Sequence, residues 1–271
     1  MTAPATDTGL DRIAAAFAGA PGRAALMPYL MGGFPTAEES VRIGEAYADA
    51  GADLVELGVP FSDPLADGPV IHAAATRALA AGATLHHVLA AGEDIARHVP
   101  VVLMCYANPM LARGVERFAD ELARRGISGL IVPDLPLEEA PGVLEECDRA
   151  GIALVPLVAP TTPDARLAAI GARARGFVYT VSVTGTTGER AQAGDAARIL
   201  ARVRAHADVP VALGFGISTP QQAAAAAAAG ADGVIVGSRL VRAAAEAADA
   251  GADPARAVTE VVGELAGALR R

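Results

Sequence analysis

The chain has 271 residues with a formal net charge of −9, and 52% of them are hydrophobic although Trp is absent. A core without Trp must be aliphatic, which suits a layered α/β fold. The negative charge argues against general binding to nucleic acid or to an anionic membrane, because both need clustered basic residues.

The first predicted element is a helix at residues 10–18, which precedes a repeated pattern of strands and helices. The N-terminal region has Asp7 and Asp11 next to an Ala-rich stretch. It lacks the basic start and long apolar run of a secretory signal, so we expect a cytoplasmic protein. The two cysteines, Cys105 and Cys147, lie in a strand-like and a helical run, and they indicate no disulfide framework.

Eight short aliphatic runs, each followed by a helical pattern, are predicted to be β-strands. They cover residues 27–31, 54–57, 99–106, 129–132, 153–158, 177–183, 209–214 and 233–236. Strands rich in Val, Ile and Leu that alternate with helices are typical of a parallel sheet buried on both faces. Eight such units in about 250 residues predict one (β/α)8 TIM barrel over 1–271, with the first helix as an addition. The alternative, a doubly wound sheet, more often has fewer strands and two lobes.

Three further segments either contain one of these strands or lie between two of them. The stretch 209–231 carries no charge, but its Gly, Pro and Gln residues favour a strand, a turn and a helix over a membrane span. The insertions 61–83 and 184–194 follow the second and sixth strands. Both would lie on the C-terminal face of the barrel, where catalytic loops sit.

The second strand carries Glu56 between Val55 and Leu57. An ionised carboxylate in such a strand costs several kcal/mol unless it takes up a proton or finds a partner. We therefore predict a raised pKa for Glu56 and a role in acid–base chemistry. The structural alternative is an ion pair with a basic side chain across the barrel layers.

The loop after this strand supplies Asp63 and Asp67, which lie among Pro and Gly residues. Either could accept hydrogen bonds within its own turn, and we favour this interpretation for Asp63. Asp67 is the candidate second acid, because carboxyl groups in different environments can divide acid and base roles. Asn108 and Asp134 follow the third and fourth strands and are predicted to face the same mouth, with turn capping as the alternative for Asp134.

Glycine-containing turns follow the last three predicted strands. They contain Gly188, then Gly214 and Gly216, and finally Gly237 with Ser238. In TIM barrels this region binds phosphate through loop amides and a short helix N-terminus. Each turn alone could serve only to reverse the chain, but their coincidence predicts a phosphate site.

The tyrosine in the sixth strand, the histidines and the absence of lysine limit the kinds of catalysis that the sequence predicts. Tyr179, in the sixth strand, either points its hydroxyl into the barrel or only fills a layer. The five histidines lie away from the strand ends, and the pair His86 and His87 has no further ligand at metal spacing, so no metal site is predicted. The absence of Lys excludes an aldolase that forms a Schiff base.

The segment from Glu56 to Pro69, ELGVPFSDPLADGP, resembles the signature of the tryptophan synthase alpha chain family. The similarity extends through residues 106–108, 133–136, 182–188, 214–218 and 237–238, and it covers about 25–244. It implies a TIM-barrel lyase that cleaves indole-3-glycerol phosphate to indole and glyceraldehyde 3-phosphate. It also implies an alpha2beta2 heterotetramer, in which indole passes to a beta chain that holds pyridoxal phosphate, with no cofactor in this chain.

The resemblance also implies roles for single residues. Glu56 and Asp67 match the catalytic acids of the family, and Tyr179 matches a tyrosine that lines the pocket. The phosphate-binding groups of the family match Gly188, Gly216, Gly237 and Ser238. The predicted substrate contacts further include Thr187, Asn108 and Asp134.

Three other functions stay open on the sequence. A phosphoribosyl isomerase would keep the barrel but usually repeats its phosphate site, and the ends of strands three and four lack Gly-Ser pairs. A non-catalytic partner barrel would not need Glu56 and Asp67. A stand-alone lyase would release free indole. If the beta chain favours closure of loops 61–68 and 184–194 over the substrate, the isolated chain should be a poor catalyst.

Overall fold

The computed structural model describes residues 7–181, 189–214 and 216–270. The strands are β1 (Ala25–Met31), β2 (Val55–Gly58), β3 (Val101–Met104), β4 (Gly129–Ile131), β5 (Ala153–Leu154), β6 (Leu157–Val158), β7 (Val178–Val181), β8 (Val211–Gly214) and β9 (Gly233–Val236). The helices are α1 (Gly9–Ala18), α2 (Ala37–Asp49), α3 (Pro69–Ala80), α4 (Leu85–Ile95), α5 (Ala107–Arg113), α6 (Val115–Arg124), α7 (Pro141–Ala150), α8 (Asp164–Gly171), α9 (Glu189–Arg204), α10 (Pro220–Ala228), α11 (Ser238–Asp249) and α12 (Pro254–Leu269).

All strands pair in parallel, in the order β5-β4-β3-β2-β1-β9-β8-β7-β6. The two ends of this order, β5 and β6, are consecutive parts of one barrel strand. Between them, the Val155 N–H donates to the carbonyl of Leu130 at 2.9 Å, and the Tyr179 N–H donates to the carbonyl of Pro156 at 3.0 Å. The hydrogen bonds between strands therefore continue on both sides of the break between β5 and β6. The predicted TIM barrel is confirmed.

The predicted N-terminal helix is α1, and it closes the N-terminal end of the barrel. Thr8 and Asp11 form a capping box at its start. Ile13 is fully buried among the inward-facing residues of the strands. The Phe17 ring lies 5.7 Å from that of Phe177, centroid to centroid. The apolar face of α1 thus fills the end of the barrel opposite to the strand C-termini.

Two predicted segments, one strand and one loop, differ from the structure. The predicted strand 99–106 is shorter, because β3 ends at Met104 and α5 begins at Ala107. The predicted loop 184–194 is partly helical, since α9 begins at Glu189. The remainder of that loop, up to residue 188, lies outside the described residues.

The uncharged stretch 209–231 forms β8 and α10, as predicted. No helix in the described part of the chain is both long and apolar enough to cross a membrane. Cys105 and Cys147 are buried and free.

Candidate active site

Glu56 lies inside β2, on the inner face of the barrel, in register with Tyr29 of β1. Its side chain is buried, with a relative exposure of only 2% for the residue. Burial raises the pKa of Glu56 to about 8, and the charge of Asp67 contributes in the same direction. The charged group that acts on Glu56 is thus another acid. Within the part of the chain that the structure describes, no basic side chain acts on Glu56, so the alternative of an ion pair is not supported there.

Asp67 lies on the loop between β2 and α3 and is only half-buried. Its Oδ1 accepts a hydrogen bond of 3.0 Å from the hydroxyl of Tyr106. Burial raises the pKa of Asp67, while the bond from Tyr106 and the charge of His72 act to lower it. Asp63, on the same loop, is exposed and accepts a hydrogen bond from the Ser62 hydroxyl at 2.5 Å.

Two buried tyrosines, Tyr29 and Tyr179, lie on the inner face of the barrel near Glu56. Burial raises the pKa of both phenols, and the charge of Glu56 contributes to each shift. Each hydroxyl lies beside a glycine, and the missing side chain of that glycine leaves room for the tyrosine. A Cβ on Gly58 would come within 2.0 Å of the Tyr29 Oη, and one on Gly214 within 2.6 Å of the Tyr179 Oη. Since both glycines end their strands, the two hydroxyls lie at the catalytic mouth of the barrel.

The candidate phosphate groups are described only in part, because Gly188 and Thr187 lie outside the described residues. Gly216 is exposed and has φ of +78°, a conformation that favours glycine. Gly237 is the N-cap of α11, and Ser238 is its exposed first residue. The helix therefore presents free N–H groups and the positive end of its dipole at the mouth.

Asn108 and Asp134 both lie beyond the ends of their strands, β3 and β4. Asn108 is exposed in the first turn of α5, beyond the end of β3. Asp134 is also exposed, and its Oδ1 accepts a hydrogen bond of 2.8 Å from the Ala107 N–H. This bond satisfies a free donor at the start of α5, so Asp134 caps a neighbouring helix.

Three residues near the acids were missed as site residues by the sequence reasoning. Tyr29 resembles an ordinary strand residue, and Tyr106 comes before a helix that the aliphatic pattern did not indicate. His72 lies on α3, and its charge acts on Asp67 although it is far from every strand end in the sequence. Alternation along β1 could have placed Tyr29 on the inner face. Among the described residues, no group of three His, Cys, Asp or Glu side chains is arranged to hold a metal ion.

A parallel barrel in which two acids of raised pKa lie on a strand and on the loop after that strand defines a TIM-barrel enzyme. The family model described as tryptophan synthase alpha chain matches residues 16–270. The chain belongs to this family.

Similar proteins cover most of the chain. The tryptophan synthase alpha chain of Prochlorococcus marinus (strain MIT 9313) is 51% identical over 232 residues, which is 84% of each chain. A crystal structure of tryptophan synthase subunit alpha from Legionella pneumophila str. Paris has a TM-score of 0.89 at 34% identity, covering 98% of this chain and 99% of that one. A structure of tryptophan synthase from M. tuberculosis, an open form with BRD0059 bound, has a TM-score of 0.87 at 39% identity, covering 96% and 98%.

Proposed function

We propose that Glu56 and Asp67 carry out the lyase reaction of the tryptophan synthase alpha chain family. This reaction cleaves indole-3-glycerol phosphate into indole and glyceraldehyde 3-phosphate. The observation that supports these roles most strongly is the pKa of Glu56, raised to about 8 by burial and by the nearby Asp67. A buried acid that is protonated at neutral pH can donate a proton and then take one back.

In the first step, protonated Glu56 donates its proton to C3 of the indole ring. Positive charge then develops at the ring nitrogen. Ionised Asp67 accepts a hydrogen bond from the indole N–H and stabilises this charge. The half-buried position of Asp67 fits this role, since a carboxylate there still has access to solvent while its charge acts on the buried Glu56.

In the second step, the Glu56 carboxylate removes the proton from the C3′ hydroxyl of the glycerol chain. The bond between C3 and C3′ breaks, the electron pair returns to the ring, and indole and the aldehyde are formed. Glu56 is protonated again, so the cycle closes without another acid. Tyr29 and Tyr179 enclose this acid and contribute to the walls of the substrate pocket.

The phosphate end of the substrate is held mainly by backbone N–H groups. Gly216, Gly237 and Ser238 supply a turn and the start of α11 at the mouth of the barrel, and Gly188 and Thr187 complete this set. A phosphate fixed there orients the bond to be broken against Glu56. Asn108 and Asp134 contribute through the loops that surround the substrate and not as acids or bases.

The partner is a beta chain that holds pyridoxal phosphate and receives indole, in an alpha2beta2 assembly in the cytoplasm. Two large apolar side chains at the catalytic mouth are exposed, Leu65 at 86% on the β2–α3 loop and Leu111 at 58% on α5. Exposed apolar groups around an active site are suited to a protein interface. A beta chain docked there would contact the loop that carries Asp67 and would favour its closed state. We treat residues 1–271 as one domain with one catalytic site.

A direct assay tests this function. The pure chain is incubated with indole-3-glycerol phosphate, with and without a beta chain, and indole is measured. We expect slow cleavage by the chain alone and an increase in kcat with the beta chain, because the partner adds no catalytic group. Full activity without the beta chain would instead identify a stand-alone lyase, and no indole under either condition would identify a non-catalytic partner.

A further inference from the structure

Tyr106 makes three separate contacts with the loop that carries Asp67. Its ring stacks on Phe61, with centroids 5.2 Å apart and an angle of 28° between the planes. Its hydroxyl accepts a hydrogen bond of 2.9 Å from the Ala66 N–H. The same hydroxyl lies 3.0 Å from Asp67 Oδ1. One side chain thus contacts Phe61 near the start of the loop, the candidate acid and the residue next to that acid.

The chemistry of these partners fixes the direction of both hydrogen bonds. A backbone N–H can only donate, so the Tyr106 oxygen accepts from Ala66. The single hydroxyl proton of Tyr106 is then directed at Asp67, which must accept it. A carboxylate oxygen is a better acceptor than a protonated carboxyl, so this arrangement favours ionised Asp67.

The backbone at Tyr106 is itself held in place. Tyr106 is the N-cap of α5, and the next N–H, that of Ala107, donates to Asp134 Oδ1 at 2.8 Å. Asp134 lies on the loop after β4, so a chain of contacts connects the loops that follow β4, β3 and β2. It ends at Asp67.

We infer that Tyr106 is a positioning residue: its hydroxyl fixes the orientation of the Asp67 carboxylate and keeps it ionised for the indole N–H. This inference rests on the proposed function. The effect of Tyr106 is exerted through Asp67, because its hydroxyl has both hydrogen bonds within the protein. Tyr106 itself makes no proton transfer.

The test is the Tyr106→Phe variant, which keeps the ring and its stacking on Phe61 but removes the hydroxyl. We expect kcat to fall about tenfold, since a hydrogen bond to a charged group is lost, while KM changes little. The acidic limb of the kcat profile should move to higher pH, because Asp67 loses a bond that lowers its pKa. The matched control is Tyr47→Phe, which removes a buried hydroxyl bonded to a backbone carbonyl and should leave the acidic limb unchanged.

A second measurement separates this inference from the proposed function. The Asp67 carboxyl is titrated by carbon-13 NMR in the wild-type chain and in Tyr106→Phe, without substrate. A higher pKa in the variant supports the inference, and an unchanged pKa overturns it whatever the activity. If the pKa rises but Asp67→Asn cleaves substrate at the wild-type rate, the contact stands and the proposed role of Asp67 is wrong.

Discussion

Burial inside strand β2 raises the pKa of Glu56, and the charge of Asp67, on the loop between β2 and α3, raises it further. The two acids are therefore coupled, and ionisation of one favours protonation of the other. With a pKa of about 8, Glu56 is protonated at neutral pH, and the proposed function pairs it with an ionised Asp67. The proposed reaction starts from this pair of protonation states.

The burial of Glu56 should reduce stability as pH rises. Its pKa is about 8 in the folded chain, against an ordinary glutamate value of 4.5, so between these values the unfolded chain has lost a proton that the folded chain retains. The free energy of unfolding then falls with increasing pH, by at most about 1.4 kcal/mol per pH unit from this group. Glu56→Gln removes this contribution. Thermal melts from pH 4.5 to 8 should show the variant gaining stability relative to wild type as pH rises, and parallel curves would contradict the raised pKa.

Removing the charge of Asp67 should lower the pKa of Glu56. In Asp67→Asn we expect that pKa to fall below 8 but to stay above its ordinary value, because burial is the larger cause. The control is Asp63→Asn, an exposed carboxylate of the same loop. Carbon-13 NMR of the Glu56 carboxyl measures its pKa in both variants. An equal decrease of that pKa in the two would show that the coupling is not specific to Asp67.

Gly214 should not tolerate a side chain, because its Cβ would lie 2.6 Å from the Tyr179 hydroxyl. Gly214→Ala must displace that tyrosine, so we expect KM to rise severalfold with some loss of stability. Gly263→Ala, in the exposed face of α12 with open space around it, is the matched control. It should be as active as wild type and slightly more stable, by up to about 1 kcal/mol. Unchanged KM in Gly214→Ala would show that Tyr179 does not shape the substrate pocket.

The hydroxyl of Ser238 should contribute only modestly to phosphate binding. Ser238→Ala keeps the backbone N–H groups at the start of α11, so we expect KM to rise by about tenfold or less with kcat nearly unchanged. Steady-state kinetics over a range of substrate concentrations measures this. A loss of kcat at saturating substrate would instead place Ser238 in the chemical step.

The eight barrel strands could be predicted because buried parallel strands are continuous aliphatic runs. The division of the fifth strand into β5 and β6 could not be predicted, because it depends on how Pro156 interrupts hydrogen bonding to the two neighbouring strands, β4 and β7. Helix α5 was missed because it is short and begins with Ala-Asn-Pro, and its cap is a side chain from another loop.

For the site, Glu56 was predictable because an acid in an apolar strand has few structural explanations. The contact between Tyr106 and Asp67 was not, because it joins two loops that approach only in the folded barrel. Local sequence shows which groups can act, and tertiary contacts decide which of them are held together.

The central claim is that Glu56 transfers the protons, and indole formation by Glu56→Gln tests it most directly. The variant is compared with wild type and with Glu145→Gln, an exposed glutamate of α7, each at saturating substrate with the beta chain present. We predict that Glu56→Gln loses about a hundredfold or more of kcat while its melting curve stays cooperative, and that Glu145→Gln keeps wild-type activity. If Glu56→Gln retained more than about a tenth of the wild-type rate, Glu56 could not be the principal acid and base.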